Sequence, residues 1–329
     1  MGALVEEAAR RLSAAQVEIP RRTAEWLWMH AAGVAKHELL LHWRDEADPA
    51  AVSAFLVCVG RRCAREPLQY ILGEADFAGL NLDVDRRVLI PRPETELLVN
   101  AALTQIVAMC RRTPSASRLT VVDLGTGSGA IAIALAKGLA RQGLLPQIRL
   151  LATDLSAEAL DVARSNALRC GVSDVIEFLQ GDALLPAAFA AGTVAGLVAN
   201  PPYIPESAAT QLEPEVRNFE PAAALYGGRD GLDMYRRIVS QAVARLADDA
   251  FIAFEVGIHQ AEAVSGLIRS AFPVADVECI PDAQGILRVV VARPPVRDAR
   301  SHGVAASDHS CLLLDFIPLI GGAPSDPGI

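Results

Sequence analysis

Several features that would restrict the function of this 329-residue chain are scarce or missing. Its six cysteines contain no CxxC pair, so neither a zinc site nor a disulfide framework is indicated. No uninterrupted apolar run reaches the length of a membrane span, and the N-terminus has the pattern of neither a secretory signal nor a transit peptide. Lys and Arg number 30 against 39 Asp and Glu, a net charge of −9. We therefore expect a cytoplasmic protein with no metal and no general affinity for nucleic acid or membranes.

The composition is typical of a globular chain with a large core. Hydrophobic residues make up 52% of the sequence and aromatic residues only 5%, so Ala, Val and Leu must fill most of the interior. The length is sufficient for about two domains. We expect an N-terminal helical bundle over residues 1–74, a hairpin linker over 75–94, a larger domain over 95–295 and a flexible tail over 296–329.

The first segment, residues 1–74, has apolar residues at helical spacing, for example Ala8 and Leu12. Pro20 and Pro49 are each placed to begin a helix, because the first turn of a helix needs no backbone N–H donor. Short helices that follow one another in this way predict a small bundle.

Beyond Thr95, where a helix is predicted to begin, apolar runs alternate with helical or loop material. This alternation predicts an α/β fold with a doubly wound, mostly parallel sheet. The runs DVECI and ILRVVVA are joined by only five residues, PDAQG, so they are expected to pair antiparallel at the sheet edge. The predicted strands lie at 119–123, 148–153, 175–179, 194–199, 251–256 and 286–292, with DVECI as a further strand before the last of these.

The first strand of this sheet is followed by a glycine loop, DLGTGSGAIAIALA. Gly125, Gly127 and Gly129 permit a tight turn, a close approach of the backbone to a ligand, and close packing of the next helix on the strand. The spacing GxGxG differs from the GxGxxG of dinucleotide-binding folds, and it is similar to the S-adenosylmethionine loop of Rossmann-like methyltransferases. An ordinary tight turn would use the same residues.

Two aspartates follow the next two strands of the sheet. Asp154 could accept hydrogen bonds from both hydroxyls of a ribose, or it could cap the helix that begins near Ser156. Asp182 could accept the amino group of an adenine, or it could belong to a simple turn. Because the carboxyl ends of parallel strands face one crevice, both aspartates and the glycine loop together indicate a nucleoside-binding site.

The fourth strand ends on the sequence NPPY. Two consecutive prolines fix the directions of the Asn200 side chain and the Pro201 carbonyl, which gives a rigid pair of oxygen acceptors. Such a pair could hold both hydrogens of a planar NH2 group and stabilise the positive charge that develops on its nitrogen during a methyl transfer. Tyr203 could stack on the planar face, so Asn200, Pro201 and Tyr203 are the predicted catalytic residues. A turn that merely ends the strand is the structural alternative.

With these motifs in order, the chain resembles the HemK-type (PrmC) glutamine methyltransferases, which modify peptide-chain release factors. The resemblance extends to about Arg293 and also includes REPLQYILGEADFAGL, VLIPRPETELLV and EVRNFEPAAALYGGRDGLDMYRRI. It implies a Rossmann-like class I methyltransferase fold and S-adenosylmethionine as the cofactor. The implied reaction is methylation of the glutamine side-chain nitrogen in the Gly-Gly-Gln loop of class 1 release factors.

The resemblance also implies which residues meet each ligand. The N-terminal bundle would help to hold the release factor, and Asn200, Pro201, Pro202 and Tyr203 would meet its glutamine. The implied cofactor contacts are Gly125, Thr126, Gly127, Ser128, Gly129, Asp154, Asp182, Ala183 and Asn200.

Three positions depart from the family pattern or are open in role. Ala183 lies where relatives often carry a larger apolar side chain against the adenine. In the segment PRPETE, Arg92 and Glu94 could touch substrate or brace the helix that begins at Thr95.

Other functions are compatible with parts of the pattern. An amino methyltransferase acting on a nucleic-acid base would use the same NPPY chemistry, although the net charge of −9 speaks against it. A related enzyme acting on a ribosomal-protein glutamine would differ mainly in the PRPETE stretch. A protein that binds the cofactor without catalysis is the third alternative, and the intact Asn200 argues against it.

Overall fold

The computed structural model describes residues 1–113, 117–184 and 189–294 of the chain. The predicted tail and Cys311 lie outside these residues. The N-terminal segment is helical, as predicted: Pro20 and Pro49 each begin a helix, and Asp48 caps the second of these by accepting from the Ala51 N–H at 2.9 Å. The helices are α1 (Gly2–Ala14), α2 (Pro20–Ala32), α3 (Lys36–Leu41), α4 (Pro49–Cys63) and α5 (Leu68–Leu72).

These helices enclose an apolar core of their own. Leu12 of α1, Leu27 of α2 and Val59 of α4 are fully buried against one another. The rings of Trp28 and Phe55 meet edge to face, with their centroids 5.2 Å apart, a favourable aromatic geometry. The separate core agrees with a small N-terminal unit, while the exact domain boundaries stay a prediction.

A short hairpin connects this bundle to the sheet. Strands β1 (Glu74–Phe77) and β2 (Leu80–Asp83) pair antiparallel around a two-residue turn, Ala78-Gly79, in which both residues have positive φ. The hairpin therefore begins one residue before the predicted linker. The backbone N–H of Ala78 donates to Glu96 Oε1 at 2.8 Å, which ties the turn to the next helix.

That helix, α6 (Thr95–Arg112), begins where the sequence predicts and is followed by the alternating strands and helices. The strands are β3 (Leu119–Leu124), β4 (Ile148–Asp154), β5 (Ile176–Gln180), β6 (Val194–Ala199), β7 (Leu246–Glu255), β8 (Asp276–Pro281) and β9 (Leu287–Arg293). The helices between them are α7 (Ala130–Arg141), α8 (Ala157–Arg169), α9 (Pro214–Phe219), α10 (Ala222–Leu225), α11 (Asp233–Arg245) and α12 (Ala261–Ala271).

In the described part of the chain these seven strands form one sheet in the order β5-β4-β3-β6-β7-β9-β8. The first five strands in this order are parallel, and β9 runs antiparallel to both β7 and β8. The predicted α/β fold and its antiparallel pairing at the sheet edge are thus confirmed. Strand boundaries agree with the prediction to within one residue, except that β7 begins at Leu246, five residues before the predicted start at 251.

The sheet is covered on both faces. Helices α6 and α7 bury one face, and helices α11 and α12 bury the other. The chain order reverses beside β3, because β4 and β5 lie on one side of it and β6 lies on the other. Ligands of doubly wound sheets bind at the carboxyl ends of the strands at such a reversal. The glycine loop after β3 and NPPY after β6 both lie there.

Candidate active site

The glycine loop connects β3 to α7 with backbone geometry that favours glycine. Gly125, Gly127 and Gly129 have φ of 70°, 54° and 84°. A Cβ at Gly129 would lie 3.0 Å from Ile133 Cδ1 and 3.2 Å from Ala163 Cβ, so this glycine lets α7 pack closely on α8. At Gly125 and Gly127 no described atom lies within 4 Å of an ideal Cβ. The loop therefore offers open backbone, which fits a bound cofactor.

A buried carboxylate at Asp123 holds this loop through hydrogen bonds. Asp123 Oδ2 accepts from the Thr126 hydroxyl at 2.6 Å and from the Ala132 N–H at 3.1 Å. Burial raises the pKa of Asp123 to about 7, against the opposing effect of these two hydrogen bonds. Asp123 is not among the predicted site residues, although an acidic residue inside an apolar strand shortly before the glycines is a visible signal in the sequence. Its contacts indicate that it braces the loop.

Asp154 lies against the same loop. Its Oδ2 accepts from the Gly127 N–H and its Oδ1 from the Ser156 N–H, each at 2.9 Å. Ser156, and not Asp154, caps α8 by accepting from the Ala159 N–H at 3.1 Å, so the alternative role of Asp154 as the helix cap is wrong. A carboxylate has about four acceptor positions, which leaves capacity for ribose hydroxyls.

Asp182 and Ala183 follow β5 at the same edge of the sheet. The Asp182 carboxylate forms an ion pair with Arg237 of α11, a partner that sequence reasoning missed because it comes from a distant helix. Ala183 is buried and has φ of 51°, which is unusual for a residue with a Cβ. The contact of Asp182 with an adenine amino group stays a prediction, and the group would have to share the carboxylate with Arg237.

Asn200 stands across the crevice from the glycine loop, directly after β6. Its side-chain Nδ2 donates to the Thr95 hydroxyl at 3.2 Å. Within the described residues, neither Asn200 Oδ1 nor the Pro201 carbonyl accepts a hydrogen bond. The two oxygens that the sequence analysis proposed as acceptors are therefore available.

The backbone that follows Asn200 is held in place by neighbouring segments. The Ile204 N–H donates to the Leu225 carbonyl at 2.9 Å, and the side chain of Gln260 donates to the Tyr203 carbonyl at 2.9 Å. Pro201 is buried, and Pro202 and Tyr203 are partly buried. NPPY is thus a packed segment whose backbone is held by its neighbours, and its catalytic role stays a prediction.

A cavity of about 210 Å³ opens beside this segment. It is mostly apolar and large enough for one amino-acid side chain. Arg92 contributes to its wall and pairs with the buried Glu220, whose other oxygen accepts from the Ile90 N–H at 3.1 Å. The lining residues are Leu89, Arg92, Asn200, Tyr203, Ile204, Leu212, Val216, Ala224 and Leu225.

This cavity bears on the two residues whose role the sequence left open. The Arg92 side chain reaches the cavity wall and pairs with Glu220, and its backbone carbonyl accepts from the Thr95 N–H at 3.0 Å, so it also braces the start of α6. Glu94 occupies the position before α6 but makes no capping hydrogen bond with its side chain. Sequence reasoning missed the part of the wall between Leu212 and Leu225, because only the tertiary fold brings it to Asn200.

The described residues contain no group of His, Cys, Asp and Glu arranged to hold a metal ion. The cysteines in the described ranges are free thiols. None of the described helices is both long enough and apolar enough to cross a bilayer.

Comparison with known proteins gives the family. Residues 3–73 match the model of the PrmC N-terminal domain, and residues 115–193 match that of a methyltransferase domain. The chain is 40% identical over 286 residues to a release factor glutamine methyltransferase of Moorella thermoacetica, with 87% of this chain and 95% of the relative covered. It is 37% identical over 290 residues to that of Deinococcus radiodurans, with 88% and 97% covered.

A solved structure supports the fold. The crystal structure of the hMettl16 catalytic domain in complex with MAT2A 3'UTR hairpin 6 matches with a TM-score of 0.51 at 18% sequence identity. The match covers 77% of this chain and 84% of that one, and it concerns the fold alone. The chain resembles these sequence relatives over 87% and 88% of its length, and the protein therefore belongs to the family of release factor glutamine methyltransferases.

Proposed function

We propose that the chain transfers the methyl group of S-adenosylmethionine to the side-chain amide nitrogen of the glutamine in the Gly-Gly-Gln loop of class 1 release factors. The relatives' names supply the substrate class. The single structural observation that carries the proposal is the arrangement at Asn200: its NH2 end is engaged by Thr95, and its oxygen is available beside a cavity of side-chain size.

S-adenosylmethionine supplies an electrophilic methyl group on a sulfonium centre. The residues that fit it are the open backbone of Gly125 and Gly127 and the carboxylate of Asp154 at the end of β4, which accepts from the Gly127 N–H. Further contacts from Thr126, Ser128, Gly129, Asp182, Ala183 and Asn200 stay part of the proposal.

The protein's own part in the reaction is to hold the acceptor amide. Asn200 Oδ1 and the Pro201 carbonyl would accept the two N–H bonds of the glutamine NH2, which directs its nitrogen lone pair at the methyl carbon. The same oxygens stabilise the positive charge on the nitrogen as the N–C bond forms and the C–S bond breaks. The methylated nitrogen then loses one proton to water. Tyr203 and the apolar cavity wall keep the amide plane fixed and exclude water.

The N-terminal bundle is proposed to help hold the release factor. Arg65 of the segment after α4 binds Glu215 of α9 through two hydrogen bonds of 2.7 and 2.6 Å. Because α9 also carries Val216 of the cavity wall, this ion pair connects the bundle, where the release factor would bind, to the cavity that would take its glutamine side chain. Reaction in the cytoplasm, where release factors act, is part of the same proposal.

The test is methyl transfer from labelled S-adenosylmethionine by the purified chain. The substrates are a class 1 release factor, its variant with Gln→Ala in the Gly-Gly-Gln loop, a ribosomal protein mixture and duplex nucleic acid. We expect label on the release factor alone, lost in its Gln→Ala variant, with mass spectrometry placing one methyl group on that glutamine. Label on nucleic acid or on a ribosomal protein would replace the proposal with the corresponding alternative, and cofactor binding without any transfer would indicate an inactive protein.

A further inference from the structure

Arg92 lines the proposed glutamine cavity and has most of its hydrogen-bond donors unused. It shares the cavity wall with Asn200 and Tyr203, and its side chain is 32% exposed, so part of it lies at the opening. A guanidinium has five N–H donors. Within the described residues only its Nη2 atom forms a hydrogen bond, to Glu220 Oε1. The other N–H groups are therefore available to a ligand that reaches the cavity.

The other polar side chains of the wall have their donors directed elsewhere. Asn200 Nδ2 donates to the Thr95 hydroxyl at 3.2 Å, and the Tyr203 hydroxyl lies 3.5 Å from Oε1 of the buried Glu255. The remaining lining residues have apolar side chains. Among the described side chains of the wall, Arg92 is thus the one that can still donate. The proposed reaction supplies acceptors for the glutamine NH2 group, but it supplies no donor for any carbonyl oxygen of the substrate.

Glu220 holds the guanidinium in place and balances its charge. Its side chain is only 1% exposed, and both of its carboxylate oxygens are engaged, Oε1 by Arg92 and Oε2 by the Ile90 N–H at 3.1 Å. Its own backbone N–H donates to the Val216 carbonyl at 3.1 Å. An arginine paired with a fixed carboxylate offers oriented donors, while the pair as a whole carries no net charge. Such a pair suits a neutral acceptor better than an anion such as phosphate.

We propose that Arg92, held by Glu220, binds a main-chain carbonyl oxygen of the release-factor loop that carries the glutamine. This inference rests on the proposed function, because it concerns the substrate of that reaction. A side chain at the opening of the cavity meets the loop itself, whose carbonyl groups need a donor once binding removes their water. A donor on the glutamine's own amide oxygen would instead draw electron density from the nitrogen that attacks the methyl group. The main chain is therefore the better partner.

The first test compares steady-state methyl transfer to a class 1 release factor by wild type and by Arg92→Gln. We expect KM to rise roughly 10- to 100-fold, the range for one hydrogen bond to a charged group, while kcat changes less than about threefold. The Kd for S-adenosylhomocysteine should stay unchanged. Arg141→Gln, on an exposed position at the end of α7 away from the glycine loop, is the matched control and should keep the KM of wild type. An Arg92→Gln enzyme with the KM of wild type overturns the inference.

A double variant separates substrate binding from a purely structural role. Loss of Arg92 alone leaves the buried Glu220 without its counter-ion, which destabilises the wall whatever Arg92 binds. Arg92→Gln combined with Glu220→Gln removes both charges, so the thermal stability should recover while KM stays raised. Recovery of KM together with stability would mean that Arg92 only braces the wall. Arg92→Lys keeps a charge for Glu220 but lacks the planar set of donors, and its KM should stay at least about fivefold above that of wild type.

Binding without turnover separates this inference from the proposed function. The Kd of the release factor and that of its Gln→Ala variant are measured with S-adenosylhomocysteine, which has no methyl group to transfer. Because the contact is with the main chain, Arg92→Gln should raise both Kd values by the same factor, and a loss confined to the factor with its glutamine would refute the inference. If wild type binds with this dependence on Arg92 but transfers no methyl, the proposed function fails and the inference stands. A wild type that binds neither factor refutes both.

Discussion

The two halves of the candidate site are built in different ways. The cofactor half consists of a contiguous loop, Gly125 to Gly129, and the carboxylate that binds this loop, Asp154. The substrate half consists of side chains that the fold collects from distant parts of the chain, among them Thr95, Asn200 and Glu255. The cofactor half depends on the backbone geometry of one loop. The substrate half depends on side-chain hydrogen bonds between residues at the ends of α6, β6 and β7.

This difference predicts different responses to substitution. A loop that offers backbone atoms tolerates many changes but not a change in the φ that its glycines adopt. A site that offers one aligned side-chain oxygen loses its chemistry when that oxygen is removed, although the fold persists. Substitutions in the cofactor half should therefore change cofactor binding and stability, whereas substitutions in the substrate half should change turnover.

Asn200→Ala should have the largest effect. Removing one aligned acceptor from the charge that develops in the transition state costs on the order of 100- to 1000-fold in kcat. Steady-state methyl transfer to a release factor measures this loss, and binding of S-adenosylhomocysteine by calorimetry should weaken far less, because Asn200 is only one of several proposed cofactor contacts. Asn218→Ala, on an exposed position of α9, is the control and should behave as wild type. An active Asn200→Ala enzyme would remove the basis of the proposed function.

Asp154→Asn should act on the other half of the site. The variant keeps the shape but replaces an acceptor oxygen with an NH2 group, so it loses either the Gly127 hydrogen bond or a ribose contact. We expect the Kd for S-adenosylhomocysteine to rise roughly 10- to 100-fold, with a smaller change in kcat at saturating cofactor. Asp161→Asn, on the exposed face of α8, should leave the Kd unchanged. An unaltered Kd in Asp154→Asn would place the ribose elsewhere.

The same contrast explains how much the sequence could predict. The strands, the glycine loop and the edge position of Asp154 follow from patterns of a few adjacent residues, and the structure has them within one residue of the prediction except at the start of β7. The ion pair of Asp182 with Arg237 could not be predicted from the sequence. Helix α11 begins about 50 residues after Asp182, and no local sequence pattern indicates that the two meet.

The surroundings of Glu255 could not be predicted from the sequence pattern. In the sequence it is only a charge that ends an apolar run, AFIAFE. In the structure, the parallel register of β6 and β7 places Glu255 beside Asn200, and burial leaves one of its carboxyl oxygens without a described partner. A buried charge at the carboxyl end of a strand was the available signal, since such groups are rarely buried without a partner or a function.

Gly129→Ala tests the backbone half by stability. Its φ of 84° and the contact of a new Cβ with Ile133 at 3.0 Å both oppose the substitution. We expect the free energy of unfolding in urea to fall by about 1–3 kcal/mol, from backbone strain and overpacking together. Gly266→Ala is the control, because Gly266 lies in α12 with open space around its Cβ, and there the change should be neutral or stabilise by up to about 1 kcal/mol.

The smallest effect is expected where the bundle meets the cavity. Arg65→Ala removes the two hydrogen bonds to Glu215 and leaves Arg62 as the remaining arginine on that carboxylate, so α9 is held less firmly and the KM for the release factor should rise about three- to tenfold while kcat and cofactor binding stay nearly unchanged. Arg65→Lys should recover only part of the loss, since an ammonium cannot form the paired contact. Arg11→Ala, on an exposed position of α1, should match wild type. Glu215 also pairs with Arg62 at 2.8 Å, so the double variant Arg62→Ala with Arg65→Ala should raise KM further than Arg65→Ala alone, and an Arg65→Ala enzyme with the KM of wild type would mean that this ion pair does not connect the bundle to the substrate site.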